Sequence, residues 1–165
     1  MHLDWESVYE DQMPKVYNYF LYSVRDRSVA EDLTSKTFEK AWRGRRRYRR
    51  NIAKFSTWLF TIARNVKKDY LRQQHVNSSI ENVDHPSGEN SIEETVQYRA
   101  DIEHLSELMK TLPYRDQELL ALKYGAGITN RQIARLTKLT ESNVGTILHR
   151  IVTRLRSEME IKNER

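Results

Sequence analysis

The sequence predicts an all-α protein: two small helical domains joined by a flexible acidic linker, the C-terminal one a helix-turn-helix. Three observations carry this. Apolar residues recur at helical spacing on both sides of a polar stretch. That stretch, Val76 to Ser91, is rich in Asn, Ser, Asp, Pro and Gly and has no helical period. Charge is also uneven: residues 1–75 carry 16 basic and 9 acidic side chains, residues 76–110 carry 2 and 8, and residues 111–165 carry 10 and 6. Two basic blocks therefore flank an acidic middle, and the expected boundaries are 1–75, 76–98 and 99–165.

In the first block, Trp5, Val8, Tyr9 and Met13 begin an apolar stripe that Val16, Tyr17, Phe20 and Val24 continue. Pro14 lies between them. Proline suits the first turn of a helix, so a kink or a second segment is expected there. Ser28-Val29-Ala30-Glu31 has the pattern of a capping box and predicts the start of the next helix. Its buried face is expected to hold Ala30, Leu33, Thr34, Thr37, Phe38, Ala41 and Trp42, with Gly44 ending it. Glu31 and Asp32 fall in the first turn, where acids favour the helix dipole whether or not a partner binds them.

Arg45-Arg46-Arg47-Tyr48-Arg49-Arg50 follows, and five arginines around one tyrosine cannot be core. Such a run is either a solvated loop or a nucleic-acid contact, in which planar guanidinium forks clamp phosphate and the ring stacks on a base. Ser56 is expected to cap a third helix, Thr57 to about Gln73, with Leu59, Ile62, Ala63, Val66 and Tyr70 inward. Trp58, Thr61, Asn65, Lys68 and Arg72 share another face. A Trp among an amide and two cations suits unpaired bases. The competing reading packs Trp58 against the preceding loop.

In the second block, Leu105, Leu108, Met109 and Leu112 make an amphipathic helix ended by Pro113, and Leu119, Leu120 and Tyr124 make another. Thr129-Asn130-Arg131-Gln132 is a second capping box. Ile133, Ala134 and Leu136 follow, Lys138-Leu139 turn, and Thr140 caps a last helix with Val144, Ile147, Leu148, Ile151 and Leu155 inward. That helix would present Glu141, Ser142, Asn143, Thr146, His149 and Arg150 outward, where recognition helices meet base edges.

Composition narrows the function. A net charge of +5 and a pI near 9.4 suit a phosphate-bearing partner. The absence of Cys excludes disulfides, thiol catalysis and cysteine zinc sites, and fits a reducing cytoplasm. No apolar run approaches the roughly 18 residues of a membrane span, so direct membrane insertion is not expected. The N-terminus carries acids and a Trp in place of a basic-then-apolar signal. His2, His75, His85, His104 and His149 are scattered, so no metal site, cofactor, catalytic residue or small-molecule substrate is expected.

With both blocks read, the chain resembles the extracytoplasmic-function (ECF, group IV) sigma factors of bacterial RNA polymerase. The resemblance rests on VAEDLTSKTFEKAW (29–42), KFSTWLFTIARNVKKDYLR (54–72), LPYRDQELLALKY (112–124) and Ile128–Arg150, in the family's order and spacing. It implies that Glu31, Asp32, Leu33, Lys36 and Phe38 dock on core RNA polymerase. It implies that Arg45, Tyr48, Lys54, Phe55, Ser56, Trp58, Thr61, Arg64, Asn65, Lys68 and Arg72 melt and hold the non-template strand of the −10 element. It implies that Arg131, Thr140, Glu141, Ser142, Asn143, Thr146, His149 and Arg150 read the −35 duplex. An anti-sigma factor is a further implied partner, and the acidic linker would thread toward the polymerase cleft.

Four positions depart from the family's pattern. Ser35 and Lys36 stand where Gln and an acid are usual, Lys138 replaces the turn glycine, and Gly145 stands where a cation is usual. Lys138 is expected to take a left-handed conformation at some cost. The alternative reading, a stand-alone helix-turn-helix regulator, leaves Trp58 and the arginine run without a role.

Overall fold

The computed structural model describes residues 3–77 and 96–165. Most of the expected linker, 78–95, lies outside the described residues. Every regular element among the described residues is helical, as expected: α1 (Trp5–Val24), α2 (Arg27–Arg43), a 3₁₀ turn (Arg45–Arg47), α3 (Phe55–Asn77), α4 (Val96–Lys110), α5 (Tyr114–Leu120), a π-turn (Ala121–Gly125), α6 (Asn130–Thr137) and α7 (Glu141–Asn163).

Helix α1 runs unbroken through Pro14. Asp4 caps it by accepting from the Glu6 amide at 3.2 Å. At its other end Arg25 takes a left-handed conformation (φ 54°) and its amide donates to the Leu21 carbonyl. Helix α2 starts two residues earlier than the Ser28 capping pattern implies. Asp26 is its N-cap, accepting from the Val29 amide at 3.0 Å. An aspartate in extended backbone two residues upstream satisfies that amide first, so Ser28 lies inside the helix. Gly44 closes α2, as expected.

The buried face of α2 holds Ala30, Leu33, Thr34, Thr37 and Ala41, whereas Trp42, expected inward, is 49% exposed. Thr34 and Thr37 are accommodated by donating to the Ala30 and Leu33 carbonyls one turn back. In α3 the buried set is Thr57, Leu59, Phe60, Ala63, Val66 and Lys67, while Ile62 and Tyr70 are only half-buried. The buried arc is therefore wider than one domain requires. Phe60 and Lys67 face a second surface, the C-terminal half.

That half follows its sequence closely. Thr129 and Gln132 form the expected reciprocal capping box. Lys138 is left-handed at φ 60°. Thr140 caps α7 by accepting from the Asn143 amide at 3.0 Å. Val144, Ile147, Leu148, Ile151 and Leu155 are all buried. The π-turn was not foreseen. Its extra residue per turn puts Ala121 and Leu122 inside and leaves Tyr124, expected inward, exposed.

The two helical halves pack face to face, and one buried apolar cluster spans both. The ring of Tyr19 on α1 meets Phe60 edge-on at 5.6 Å. The Tyr19 hydroxyl crosses to the other half and donates to Glu118 at 2.8 Å. Gly125 sits against α1 so closely that a Cβ there would lie 3.0 Å from the Asn18 carbonyl oxygen and 3.2 Å from the Tyr22 ring.

Candidate nucleic-acid interface

Two surfaces carry the residues that the sequence singles out. The first is built where α2 hands over to α3. Gly44 lies at that corner, where a Cβ would stand 3.3 Å from the Lys40 carbonyl oxygen and in ordinary contact, 3.8 Å, with the Trp58 ring. The 3₁₀ turn then reverses the chain, and the loop is pinned by the Tyr48 hydroxyl donating to the Ala53 carbonyl at 3.1 Å. Aromatic rings fill the space beneath. Trp58 lies 5.3 Å from Tyr48 and 5.5 Å from Phe55, and Trp5 meets both Phe55 and Trp42 edge-on.

Trp58 thus does pack against the preceding loop, and Tyr48 and Phe55 share its half-buried cluster. The exposed elements are at the rim. Trp42 carries the Arg45 guanidinium stacked 3.9 Å over its ring. Arg46, Arg47, Arg49 and Lys54 are exposed around it. Ile52, at the loop tip, is 74% exposed. Trp5, Trp42 and Ile52 are members of this surface that sequence reasoning missed. Helical spacing assigned Trp42 inward, and nothing local marks Trp5, which joins from the far end of α1.

Along α3, Thr61, Asn65, Lys68 and Arg72 are exposed on one face, as expected. Thr61 donates to the Thr57 carbonyl at 2.9 Å, and Arg72 lies 3.8 Å from Asp69, so neither is without a partner. Ser56 and Arg64 lie elsewhere: both are half-buried against the C-terminal half. Ser56 is not a cap. Its hydroxyl accepts from Gln132 at 2.8 Å. Arg64 donates to Glu118 at 3.0 Å and also to the Leu136 carbonyl, so it closes the C-terminus of α6.

Glu118 is the centre of this junction. Its carboxylate, 3% exposed, takes Arg64 and the Tyr19 hydroxyl on one oxygen and the buried Lys67 ammonium on the other. Lys67 also lies 4.9 Å and 5.0 Å over the rings of Tyr19 and Tyr114. One buried anion therefore faces two cations. The excess positive charge and the loss of water favour release of one proton, and only lysine can yield it. Burial first, then Arg64 and Lys68, bring the Lys67 ammonium down to about 7. Burial likewise pushes the Tyr19 hydroxyl well above its ordinary range, which keeps it a donor. Arg25 adds an edge contact, donating to Gln117 at 3.0 Å.

The second surface is the N-terminal half of α7. Glu141, Ser142, Asn143, Thr146, His149 and Arg150 are all exposed on it. The Thr140 hydroxyl is taken by the cap, and the Thr146 hydroxyl donates to the Ser142 carbonyl. Arg131 on α6 reaches Glu141 at 3.6 Å. Gly145 faces Asn130, whose amide nitrogen would lie 3.7 Å from a Cβ there, so a larger residue would fit in ordinary contact.

On α2, Glu31, Asp32 and Lys36 are exposed, and Lys36 pairs with Asp32 at 3.1 Å. Phe38 packs edge-on against Tyr9 at 4.8 Å. Leu33 is 1% exposed, so it supports this face from inside and cannot itself touch a partner. Leucine on the inward stripe of α2 has no other place to go.

Residues 8–76 match the family Sigma-70 region 2, and residues 102–155 match Sigma-70, region 4. The chain belongs to the sigma-70 family and is a sigma factor of the ECF type. It is 29% identical over 151 residues to the ECF RNA polymerase sigma factor BldN of Streptomyces coelicolor, covering 90% of this chain and 57% of that one. It is 27% identical over 153 residues to the ECF RNA polymerase sigma factor SigM of Bacillus subtilis, covering 92% and 93%. Among solved structures, the sigma factor RpoE in complex with the anti-sigma factor NepR from Bartonella quintana matches with a TM-score of 0.76 at 17% identity, covering 96% of this chain and 98% of that one. CnrH in complex with the cytosolic domain of CnrY matches at 0.63 and 15%, covering 94% and 84%.

With both regions present, the chain is a sigma factor directing promoter-specific transcription. None of its described helices is long and apolar enough to cross a membrane, and no cluster of potential metal ligands occurs among the described residues.

Proposed function

We propose that this sigma factor divides promoter recognition between its two surfaces. Residues 1–75 bind core polymerase and hold the melted −10 strand, and residues 99–165 read the −35 duplex. The observation that carries this reading is the pairing, on one chain, of an aromatic and cationic rim with an outward-facing recognition helix. The two surfaces suit different forms of DNA. A helix N-terminus with exposed Asn143 and Arg150 fits a major groove and its base edges. Exposed Trp42 and Ile52, ringed by Arg45, Arg46, Arg47 and Lys54, suit unstacked bases and their phosphates.

The exposed face of α2, with Glu31, Asp32, Lys36 and the edge of Phe38, is the polymerase-docking face. Lys36 neutralises Asp32 there, so this contact leans more on Glu31 and Phe38. The chain works in the cytoplasm and makes no bond of its own; the polymerase does the chemistry. An anti-sigma factor is a fitting partner, since the similarly folded RpoE is bound to the anti-sigma factor NepR.

In vitro transcription with core polymerase on a promoter library, followed by permanganate footprinting, tests the reading. Trp58→Ala removes the floor of the aromatic cluster and should reduce open-complex formation while sparing duplex binding. Equal melting by the variant would remove the cluster from the mechanism. If the chain alone binds promoter duplex tightly and specifically, and polymerase adds nothing, the stand-alone regulator reading replaces this one.

A further inference from the structure

The junction between the halves uses residues that the −10 reading assigns to DNA. Arg64 is spent on Glu118 and on the Leu136 carbonyl, and the Ser56 hydroxyl is taken by Gln132. Lys67, one turn beyond Arg64 on α3, is buried against the same carboxylate. A carboxylate and a phosphodiester present the same chemistry to these cations: an anion with paired oxygens that accept charge-assisted hydrogen bonds. Both cannot occupy Arg64 and Lys67 at once. Buried charges also tolerate no half-measures, because an ion left unpaired out of water is costly. The junction is therefore either fully closed or fully open.

We propose that Glu118 is an internal competitor for a DNA strand. In the closed chain it holds Arg64 and Lys67, and the C-terminal half must lift away before phosphates of the melted strand can take both cations. This rests on the −10 reading above, and adds Lys67 to the strand-binding residues. The closed sigma factor keeps its strand-binding helix charge-neutralised until polymerase or DNA separates the halves. The geometry also gives a role to the polar centre of this otherwise apolar junction: apolar contacts alone could not be exchanged for phosphate.

The test uses the full chain, which has no native Cys. Glu10→Cys and Ser157→Cys, both exposed, take a donor and an acceptor dye and report the separation of the halves. A fluorescent pool of random single-stranded DNA reports strand binding by anisotropy, without polymerase. Glu118→Gln should lower energy transfer and tighten strand binding at least tenfold. Arg64→Ala and Lys67→Ala, each added to Glu118→Gln, should reverse most of that gain. Arg25→Gly removes the edge hydrogen bond to Gln117 and the attraction to Glu107 while relieving a left-handed residue, so it should fold normally and move both readouts the same way by a smaller factor.

Opening without tighter strand binding would overturn the competition. So would unchanged energy transfer and affinity in both variants. Trp58→Ala in the Glu118→Gln chain separates the two readings. If it loses the gained affinity, strand binding lies where the −10 reading puts it. If it retains the gain, the −10 reading fails, whatever the junction does.

Discussion

Gly125 offers a way to open the junction without touching a charge. It is the last residue of the π-turn, where the C-terminal half meets α1. A Cβ added there would stand 3.0 Å from a backbone oxygen, that of Asn18, and 3.2 Å from the Tyr22 ring. The first distance is at the limit that real Cβ atoms reach, and helix backbone cannot swing aside as a side chain can. Overpacking of this kind costs about 1–3 kcal/mol. That energy falls on the contact between the halves and not on either half. Within the C-terminal half, replacing Gly by Ala in helical backbone is worth about 1 kcal/mol in the opposite direction. Gly125→Ala should therefore shift the closed form toward the open one by roughly 5- to 150-fold while the halves keep their own stability. Small-angle scattering measures this directly, because a compact chain of 165 residues has a radius of gyration of about 15 Å and separation of the halves enlarges it. Gly125→Val extends the same wedge. If both variants scatter like the parent and keep its thermal stability, the close approach at Gly125 does not hold the halves together and the reasoning is wrong.

Lys138→Gly should stabilise the helix-turn-helix by roughly 1 kcal/mol, or about 2–4 °C in Tm, because glycine takes φ 60° without steric cost; a fall in Tm would show that the lysine side chain offsets its strain. Lys67 gives the junction a pH dependence. In the closed chain it titrates near 7, while in an opened chain it returns to the ordinary lysine range, so closing expels a proton between those values. The charged and titratable groups around it are Glu118 and Tyr114 from α5, Arg64 and Lys68 from α3, and Tyr19 from α1. Raising the pH from 7 to 9 should favour the closed form, read as higher energy transfer between the dyes, and Lys67→Met should remove that slope; no slope in the parent chain would show that Lys67 keeps its proton in the closed form. Arg150→Ala should weaken −35 recognition by about 1–3 kcal/mol if the guanidinium reaches a base edge, measured as promoter preference in transcription assays; an unchanged preference at every position would remove it from the reading surface.

Local sequence settled most of the individual helices. The capping box at Thr129, the left-handed Lys138, the Thr140 cap and the five inward residues of α7 were all legible, because each depends on neighbours within one or two turns. The outward residues of α7 followed from the same periodicity. Where short-range rules misled, another short-range group had won, as when Asp26 took the cap expected of Ser28. Trp42 and Tyr124 went wrong for a different reason. A helical stripe says which residues lie on one face, but not how wide the buried arc is or where a π-turn shifts it.

The tertiary structure alone decided what the polar residues of the junction do. Tyr19, Arg64, Lys67 and Glu118 come from segments up to 99 residues apart; the family resemblance gave Arg64 to DNA, and the other three each read alone as an ordinary solvated or core position. The physical reason is that helix propensity, capping and periodicity are short-range and are written in adjacent residues. The pairing of a buried carboxylate with two cations depends on which faces meet, and that is set by the summed packing of both halves.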